Sequence, residues 1–182
     1  MPTMCYRRKA SGFTLIELMV TIAILAITVT IAIPSFQNVI ASNQLQEGRD
    51  RLRMAIQTAK GEAVARNQTV SLCPSSDGAA CGDSGDWDES WLVVVDNNAT
   101  GAVSISNTLR VFDAPSSSEA TLVHAGGFDY IRFEANGISE NLNASASFGF
   151  CSPDGKVDPK SLVLSPSTAA IRTGTIAEAN CP

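Results

Sequence analysis

Histidine is almost absent from this chain, and the residue patterns that build catalytic or metal sites are missing with it. The sequence contains one histidine, His124, and no Cys-x-x-Cys pair. A Ser–His–Asp triad needs a histidine with suitably spaced partners, and structural zinc sites draw on clustered histidines and cysteines. A lone histidine is more often structural or simply exposed. The sequence therefore predicts no enzyme, no cofactor and no metal site.

One short segment has a superficial likeness to a calcium loop. Residues 96–101 read Asp-Asn-Asn-Ala-Thr-Gly, but the fifth position carries no acid. Asn107 occupies the twelfth position, where a calcium loop has a glutamate. The same run of turn-forming residues is typical of a hairpin. A hairpin turn is therefore the prediction for residues 96–101.

Basic residues are scarce outside the N-terminus. The chain holds 13 Lys and Arg against 18 Asp and Glu, and residues 1–12 contain three of the basic residues and no acid. Without those twelve residues the formal net charge is −8. Nucleic acids are polyanions, and the proteins that bind them present clustered cations. Binding to nucleic acid is therefore disfavoured.

Charge is also missing from a long stretch near the N-terminus. Residues 13–33 form a run in which Glu17 is the only charged residue. As a helix, this run would be roughly 31 Å long, which is enough to cross the hydrocarbon core of a bilayer. Arg7, Arg8 and Lys9 precede it, which predicts a cytoplasmic N-terminus and an exported remainder.

A cleaved secretory signal peptide is the alternative interpretation of this run. The apolar region of such a signal spans about 7–15 residues and ends at a small-residue cleavage site. Here the run is longer, and Glu17 opposes simple insertion, since an acid at the bilayer centre costs about 2.5–3.5 kcal/mol on insertion scales. An intramembrane carboxylate usually has a partner and a function. A membrane anchor is therefore favoured.

The cysteines indicate an oxidising compartment. Cys5 precedes the apolar run, and four cysteines follow it: Cys73, Cys81, Cys151 and Cys181. An even number in an exported domain indicates two disulfides, for which three pairings exist. The pairing that joins neighbours in sequence, Cys73–Cys81 and Cys151–Cys181, is favoured.

The remaining patterns predict one long helix followed by strands. Apolar residues at steps of three and four extend the helix to about residue 66, and Pro34 predicts a bend or local unwinding. From residue 69, short β-like runs alternate with turn residues. The expected fold class is α+β, with a head of antiparallel sheets and no second domain. The apolar helix positions are Phe36, Val39, Ile40, Leu45, Leu52, Ala55, Ile56, Ala59, Ala63 and Val64, and the predicted strands are 69–73, 91–96, 109–112, 121–124, 130–134, 146–151, 161–165 and 170–173.

The N-terminal motif resembles the class III leader of type IV pilins and pseudopilins. The resemblance lies in the basic leader, the run Gly12-Phe13-Thr14-Leu15-Ile16-Glu17 and the apolar helix that follows. It implies that a prepilin peptidase cuts between Gly12 and Phe13 and N-methylates Phe13. The new α-amine of Phe13 would be cationic near neutral pH and could offset Glu17 of a neighbouring subunit in a filament. Glu17 is thereby an expected assembly residue.

This resemblance also implies a division of the chain into four parts. Residues 1–12 are the leader, 13–33 the transmembrane helix, 34–66 its continuation into the head, and 67–182 a periplasmic β-rich head. The implied location is the bacterial inner membrane, with a single pass and a cytoplasmic N-terminus, and incorporation in a pilus is a further expectation. The implied partners are prepilin peptidase and other minor pilins or pseudopilins.

The head is similar to the GspH/FimT family of minor pseudopilins and minor pilins. The similarity rests on residues 59–67, on Asp86-Trp87 with the strand-like run that begins at Trp91, and on residues 131–137 and 148–151. Ser90 departs from the glycine that many members have before the second tryptophan. Trp87 and Trp91 are interpreted as core anchors rather than as a binding surface.

Three functions follow from this family resemblance. The first is a minor pilin that takes part in type IV pilus initiation or in a tip complex, which the four cysteines favour. The second is a GspH-like minor pseudopilin of type II secretion. The third is a DNA-uptake pilin, whose basic Gly-Arg-x-Arg motif is reduced here to Arg172 in Ala169-Ala170-Ile171-Arg172. Because the net charge disfavours DNA, Arg172 is interpreted as a surface residue.

Overall fold

The computed structural model describes residues 12–82, 86–98, 100–115, 120–125, 127–142, 144–166, 168–174 and 181. Residues 1–11, which make up nearly all of the expected leader and include Cys5, lie outside the described residues. The chain divides into two units, Met1–Gln37 and Asn38–Pro182. The described part of the first unit is almost wholly helical, and the second unit contains all of the strands.

One helix, α1 (Leu15–Arg66), precedes every strand in the chain. It is unbroken through residue 34, so the local unwinding that the proline predicts does not occur there. The helix ends in a Schellman motif: the Gln68 N–H donates to the Ala63 carbonyl and the Asn67 N–H to the Val64 carbonyl. Asn67 takes the left-handed conformation (φ 53°) that this motif requires of the residue after the helix.

The buried face of α1 is shorter than the sequence predicts. Phe36, Val39, Ile40 and Val64 are 66%, 52%, 43% and 52% exposed, so the expected apolar stripe was wrong at both ends. Phe36, Val39 and Ile40 precede Leu45, the first buried residue of the helix, whereas Val64 follows the buried Ala63 and lies at the edge of the buried face. The buried helix residues, which recur at steps of three and four with one adjacent pair, are Leu45, Gly48, Leu52, Ala55, Ile56, Ala59 and Ala63.

In the part of the chain that the structure describes, eight strands form two sheets, and their antiparallel pairing is as the sequence predicts. The first sheet has the order β3-β2-β1-β5 and the second the order β4-β6-β7-β8. Every pairing within them is antiparallel. The strands are β1 (Val70–Ser75), β2 (Ser90–Asp96), β3 (Ile105–Phe112), β4 (Thr121–Ala125), β5 (Ile131–Phe133), β6 (Ala146–Cys151), β7 (Lys160–Leu164) and β8 (Ile171–Gly174).

Strand β3 begins four residues earlier than its predicted start at residue 109. Its first half is polar and exposed because β3 lies at the edge of its sheet, where side chains need not be apolar. Ser90, the departure from the family's glycine, is the first residue of β2 and pairs with Ser75. A strand position does not require glycine, so serine is accommodated there.

A single large core joins the helix to both sheets. Leu45, Leu52 and Ile56 of α1 share a buried cluster with side chains from the two sheets, such as Val93 and Phe148. Trp87 and Trp91 are 1% and 0% exposed, which confirms that they are core residues. Trp87 meets Phe148 and Phe128 edge-on, with ring centroids 5.0 and 5.5 Å apart. The core thus fixes both sheets against residues 45–63 of the helix.

Candidate functional site

The N-terminal end of α1 holds the expected processing and assembly residues in one short stretch. Thr14 is the N-cap: its hydroxyl oxygen accepts the Glu17 N–H at 3.3 Å, and its carbonyl accepts the Leu18 N–H at 3.2 Å. Glu17 therefore stands at the third helical position, where the capping box places a glutamate. A carboxylate in the first turn is also favoured by the helix dipole. Thr14 was missed as a functional residue, although Thr-x-x-Glu is its sequence signature.

The apolar segment that follows buries none of its side chains within this chain. Phe13, Leu15 and Ile31 are 82%, 75% and 70% exposed. The most apolar 18-residue window of α1 has a mean hydropathy of 2.5, and none of it is buried. By length and composition, α1 is thus able to cross a membrane. Glu17 is exposed as well, so no described residue buries its carboxylate.

Gly12 has no structural reason to be glycine within the described chain. A Cβ atom built on it meets no other atom within 4 Å, and its backbone does not adopt a positive φ. Gly48, by contrast, has a packing reason, since a Cβ there would lie 3.0 Å from Pro115 and 3.1 Å from Phe150. Contacts among the described residues therefore do not require glycine at position 12.

The head contains a buried ion pair that could not be predicted from the sequence. Asp96 and Arg132 are 5% and 1% exposed, and Arg132 donates from Nε at 2.9 Å and from Nη2 at 2.8 Å to Asp96 Oδ2. Ser71 donates to the same oxygen at 2.8 Å. The backbone N–H groups of Asn98 and Ser104 each donate to Asp96 Oδ1 at 2.9 Å. Asp96 thus joins β1, β2, β5 and the β2–β3 loop.

These contacts set the protonation of Asp96. Burial by itself raises the pKa of this carboxyl group. The hydrogen bonds from the Ser104 and Asn98 backbone, and then those from Ser71 and Arg132, outweigh burial and hold the pKa below its usual value. Asp96 is therefore an anion that fixes a loop, and the hairpin predicted for 96–101 is the start of the β2–β3 connection.

Both favoured disulfides are present. Cys73 on β1 is bonded to Cys81, and Cys151 at the end of β6 is bonded to Cys181, with Cα–Cα distances of 5.5 and 5.8 Å. The first bond closes the loop that follows β1. The second ties the C-terminal end of the chain to the second sheet.

The other residues that the sequence singled out do not converge on a site. His124 is exposed on β4 and meets Phe128 edge-on at 5.6 Å. Arg172 is exposed and is the one basic residue of β8. Within the described residues, no three His, Cys, Asp or Glu side chains are grouped so that they could hold a metal ion.

Comparison with known proteins agrees with this arrangement. The family described as Type II transport protein GspH matches residues 49–168. The prokaryotic N-terminal methylation motif matches residues 7–33. The type IV major fimbrial protein FimA of Dichelobacter nodosus is 48% identical over 50 residues, which are 26% of this chain and 32% of FimA. The match thus spans about a third of that relative.

Two solved structures share the fold. Both are crystal forms of the type IV minor pilin FimU of Pseudomonas aeruginosa. The TM-scores are 0.54 and 0.51, with 21% and 20% sequence identity. The alignments cover 78% and 75% of this chain and 94% and 96% of FimU. The long helix followed by antiparallel sheets is therefore a type IV pilin-like fold.

Proposed function

Because this chain belongs to the GspH family of type IV pilin-like proteins and carries the N-terminal methylation motif, we propose that it is a minor pilin that takes part in type IV pilus assembly. The observation that carries this proposal is the unburied apolar segment of α1 with Glu17 as its only charge. Such a segment is not stable in water and needs a membrane or other helices around it. A pilus subunit is surrounded first by the membrane and then, in the filament, by other helices.

Processing occurs between Gly12 and Phe13 in this proposal. A glycine without an internal steric or backbone requirement suits recognition by a peptidase. Cleavage leaves a cationic α-amine on Phe13, one residue before the N-cap Thr14. The amine of one subunit then offsets Glu17 of its neighbour in the filament. An uncleaved subunit lacks this amine, so processing precedes assembly.

Localisation follows from the same residues. Arg7, Arg8 and Lys9 keep the N-terminus in the cytoplasm, residues 13–33 cross the inner membrane, and the head lies in the periplasm. The two disulfides of the head suit that oxidising compartment. Prepilin peptidase and other pilin-like subunits are the partners that this route requires.

A GspH-like minor pseudopilin of type II secretion is the second candidate. The matched family, described as a type II transport protein, favours it. The two roles share processing, the membrane anchor and helix packing, and they differ in the filament that receives the subunit. The two disulfides and the fold of a minor pilin support the pilus role. DNA capture is not proposed, because β8 offers only Arg172 as a cation.

Mass spectrometry of the full-length protein purified from its own cells tests the processing step. Wild type should begin at N-methylated Phe13, whereas Gly12→Val should keep residues 1–12, because a branched side chain does not fit a site that accepts glycine. Gly12→Ala is the graded control and should be cleaved in part. An N-methylated Phe13 in Gly12→Val would refute the processing site.

Sheared filaments distinguish the two roles. They are prepared from cells that lack the gene and from complemented cells. A minor pilin should be found in the pilus fraction, and its loss should lower the number of pili while leaving a secreted reporter unaffected. Loss of secretion with normal pili would select the pseudopilin instead.

A further inference from the structure

A cleft opens between the loop closed by Cys73–Cys81 and the β2–β3 loop. Its volume is about 490 Å³, which lies within the range of clefts that bind small ligands or a few side chains. The main lining residues are Cys81, Gly101, Val103, Ile105, Asp129 and Tyr130. We call it the loop cleft. None of these residues takes part in the processing and helix packing proposed above.

The floor of the loop cleft is apolar. Cys81, Val103, Ile105 and Tyr130 pack on a small cluster formed by Cys73, Leu92 and Val94. Leu92 and Val94 alternate along β2 with Trp91 and Val93, which belong to the main core. They therefore face the other side of the sheet. The cleft is thus built on a second apolar cluster that the helix does not cover.

Hydrogen bonds to the Gly101 carbonyl and to Asp96 hold the walls of the loop cleft. The Gly101 carbonyl accepts hydrogen bonds from Tyr130 Oη at 2.6 Å and from Arg132 Nη2 at 2.9 Å. Gly101 has a φ of 76°, a conformation that favours glycine. Asp96 anchors the loop on both sides of Gly101 through Asn98 and Ser104. A surface loop fixed at three points loses little conformational entropy on binding.

The charge of the loop cleft selects its ligand. Asp129 is exposed and is the only charged residue among the described residues that line the cleft. A lysine or arginine fits both features, because its aliphatic stem can lie on an apolar floor while its cationic end meets a carboxylate. An acidic side chain would be repelled by Asp129, and an aliphatic one would leave that charge without a partner.

We propose that the loop cleft receives a lysine or arginine side chain from an extended segment of a neighbouring pilin-like subunit, with Asp129 as the residue that pairs with it. The inference rests on the proposed function, because it is assembly that brings a neighbour's head against this surface. It adds to helix packing a head-to-head contact that selects the neighbour by charge.

Site-specific photo-cross-linking in intact cells tests this contact on the full-length chain. A benzoylphenylalanine at Ala102, an exposed lining residue, should cross-link to another pilin-like subunit, and the cross-linked peptide should contain a lysine or arginine. Asp129→Asn should lower the yield about fivefold, the size expected for one exposed ion pair. Asp129→Lys should abolish the cross-link, and a glutamate at the mapped basic position of the neighbour should restore it.

Asp113→Asn is the matched control. Asp113 is also an exposed aspartate, but it follows Phe112 at the far end of β3 from the cleft residue Ile105, so the yield should not change. A cross-link that survives Asp129→Lys, or a mapped segment without a cation, would overturn the proposal. So would the absence of any cross-link from a subunit that is present in sheared filaments. Absence of the processed subunit from all filament fractions would instead refute the proposed function, and this inference with it.

Discussion

Two carboxylates of this chain lie in opposite environments. One bears on assembly and the other on the stability of the head. Glu17 is exposed at the start of an unburied apolar helix, whereas Asp96 is buried and accepts hydrogen bonds from Ser71, Arg132, Asn98 and Ser104. Glu17 can be recognised from sequence because a charge inside an apolar run is conspicuous. Asp96 and Arg132 cannot, since they are ordinary charged residues 36 positions apart. Folding alone brings them together.

The Asp96 contacts predict acid sensitivity of the head. Because its pKa is lower in the folded protein than in the unfolded chain, Asp96 stabilises the fold above the unfolded pKa of about 3.9. That contribution is lost as the pH falls through the folded pKa. The pKa of Asp154 is lowered to about 2 by Ser152 and Lys156, so its contribution to stability is also lost as the pH falls. Urea unfolding of the full chain in detergent should therefore show stability that declines below about pH 4.

Substitution of Asp96 separates its contribution to this pH dependence from the contributions of the other acidic residues. Asp96→Asn should flatten the decline below pH 4 and lower the free energy of unfolding at pH 7 by about 1.5–3 kcal/mol, because the charge-assisted hydrogen bonds from Arg132 are weakened while Glu140 Oε2 stays 3.9 Å from Arg132 Nη1. Asp113→Asn, at an exposed aspartate, should change neither quantity by more than about 0.5 kcal/mol. An unchanged pH profile in Asp96→Asn would contradict the assignment.

The secondary-structure elements show where sequence patterns suffice and where they fail. Each of the eight described strands and the helix was predicted, because β-like runs between turn residues indicate strands even where, as in β3 and β8, most side chains are exposed. The start of β3 was wrong because an edge strand tolerates Ser106, Asn107 and Thr108 on its exposed surface. The buried face of α1 was predicted too long because periodicity reveals neither where the covered part of the helix begins nor which side chains at the edge of its apolar face, such as Val64, stay exposed. Burial depends on the neighbouring element as well as on the pattern.

Replacement of each of two glycines of α1 by valine tests this packing. A Cβ at Gly48 would lie 3.0 Å from Pro115 and 3.1 Å from Phe150, while a Cβ at Gly61 meets no other atom within 4 Å. Gly48→Val should lower the free energy of unfolding by about 1–3 kcal/mol through overpacking. Gly61→Val should leave it within about 0.5 kcal/mol of wild type, because valine is a somewhat better helix former than glycine. Urea denaturation measures both, and equal effects would contradict the helix packing.

At the scale of the whole molecule, each disulfide joins a strand to a residue outside the sheets: Cys73 of β1 to Cys81, and Cys151 of β6 to Cys181. Cys73–Cys81 closes a separation of 8 residues and Cys151–Cys181 a separation of 30. The count and spacing of the cysteines were enough to favour this pairing over the two others. The loop cleft was beyond sequence reasoning, because its lining comes from three separate segments that only the folded sheet brings together.

Removal of each disulfide should destabilise the head, and the bond that closes the longer loop should contribute more. On the chain-entropy account, replacing Cys151 and Cys181 together by serine should cost about 3.5 kcal/mol, and replacing Cys73 and Cys81 about 2.5 kcal/mol. Thermal or urea unfolding under non-reducing conditions measures both variants. Peptide mapping of wild type that joins Cys73 to Cys151 would contradict the pairing itself.

The role proposed for Glu17 is to direct this subunit into a filament after processing. Glu17→Ala removes a charge that opposes insertion, so the variant should be inserted and should begin at N-methylated Phe13 as wild type does. It should nevertheless fail to assemble, because the Phe13 amine of its neighbour would lie in a low-dielectric setting without a counter-charge. The decisive measurement is the ratio of this subunit to the major subunit in sheared filaments. We predict a ratio for Glu17→Ala at least about tenfold below wild type, which corresponds to about 1.4 kcal/mol of lost interaction, whereas incorporation at the wild-type ratio would contradict the claim.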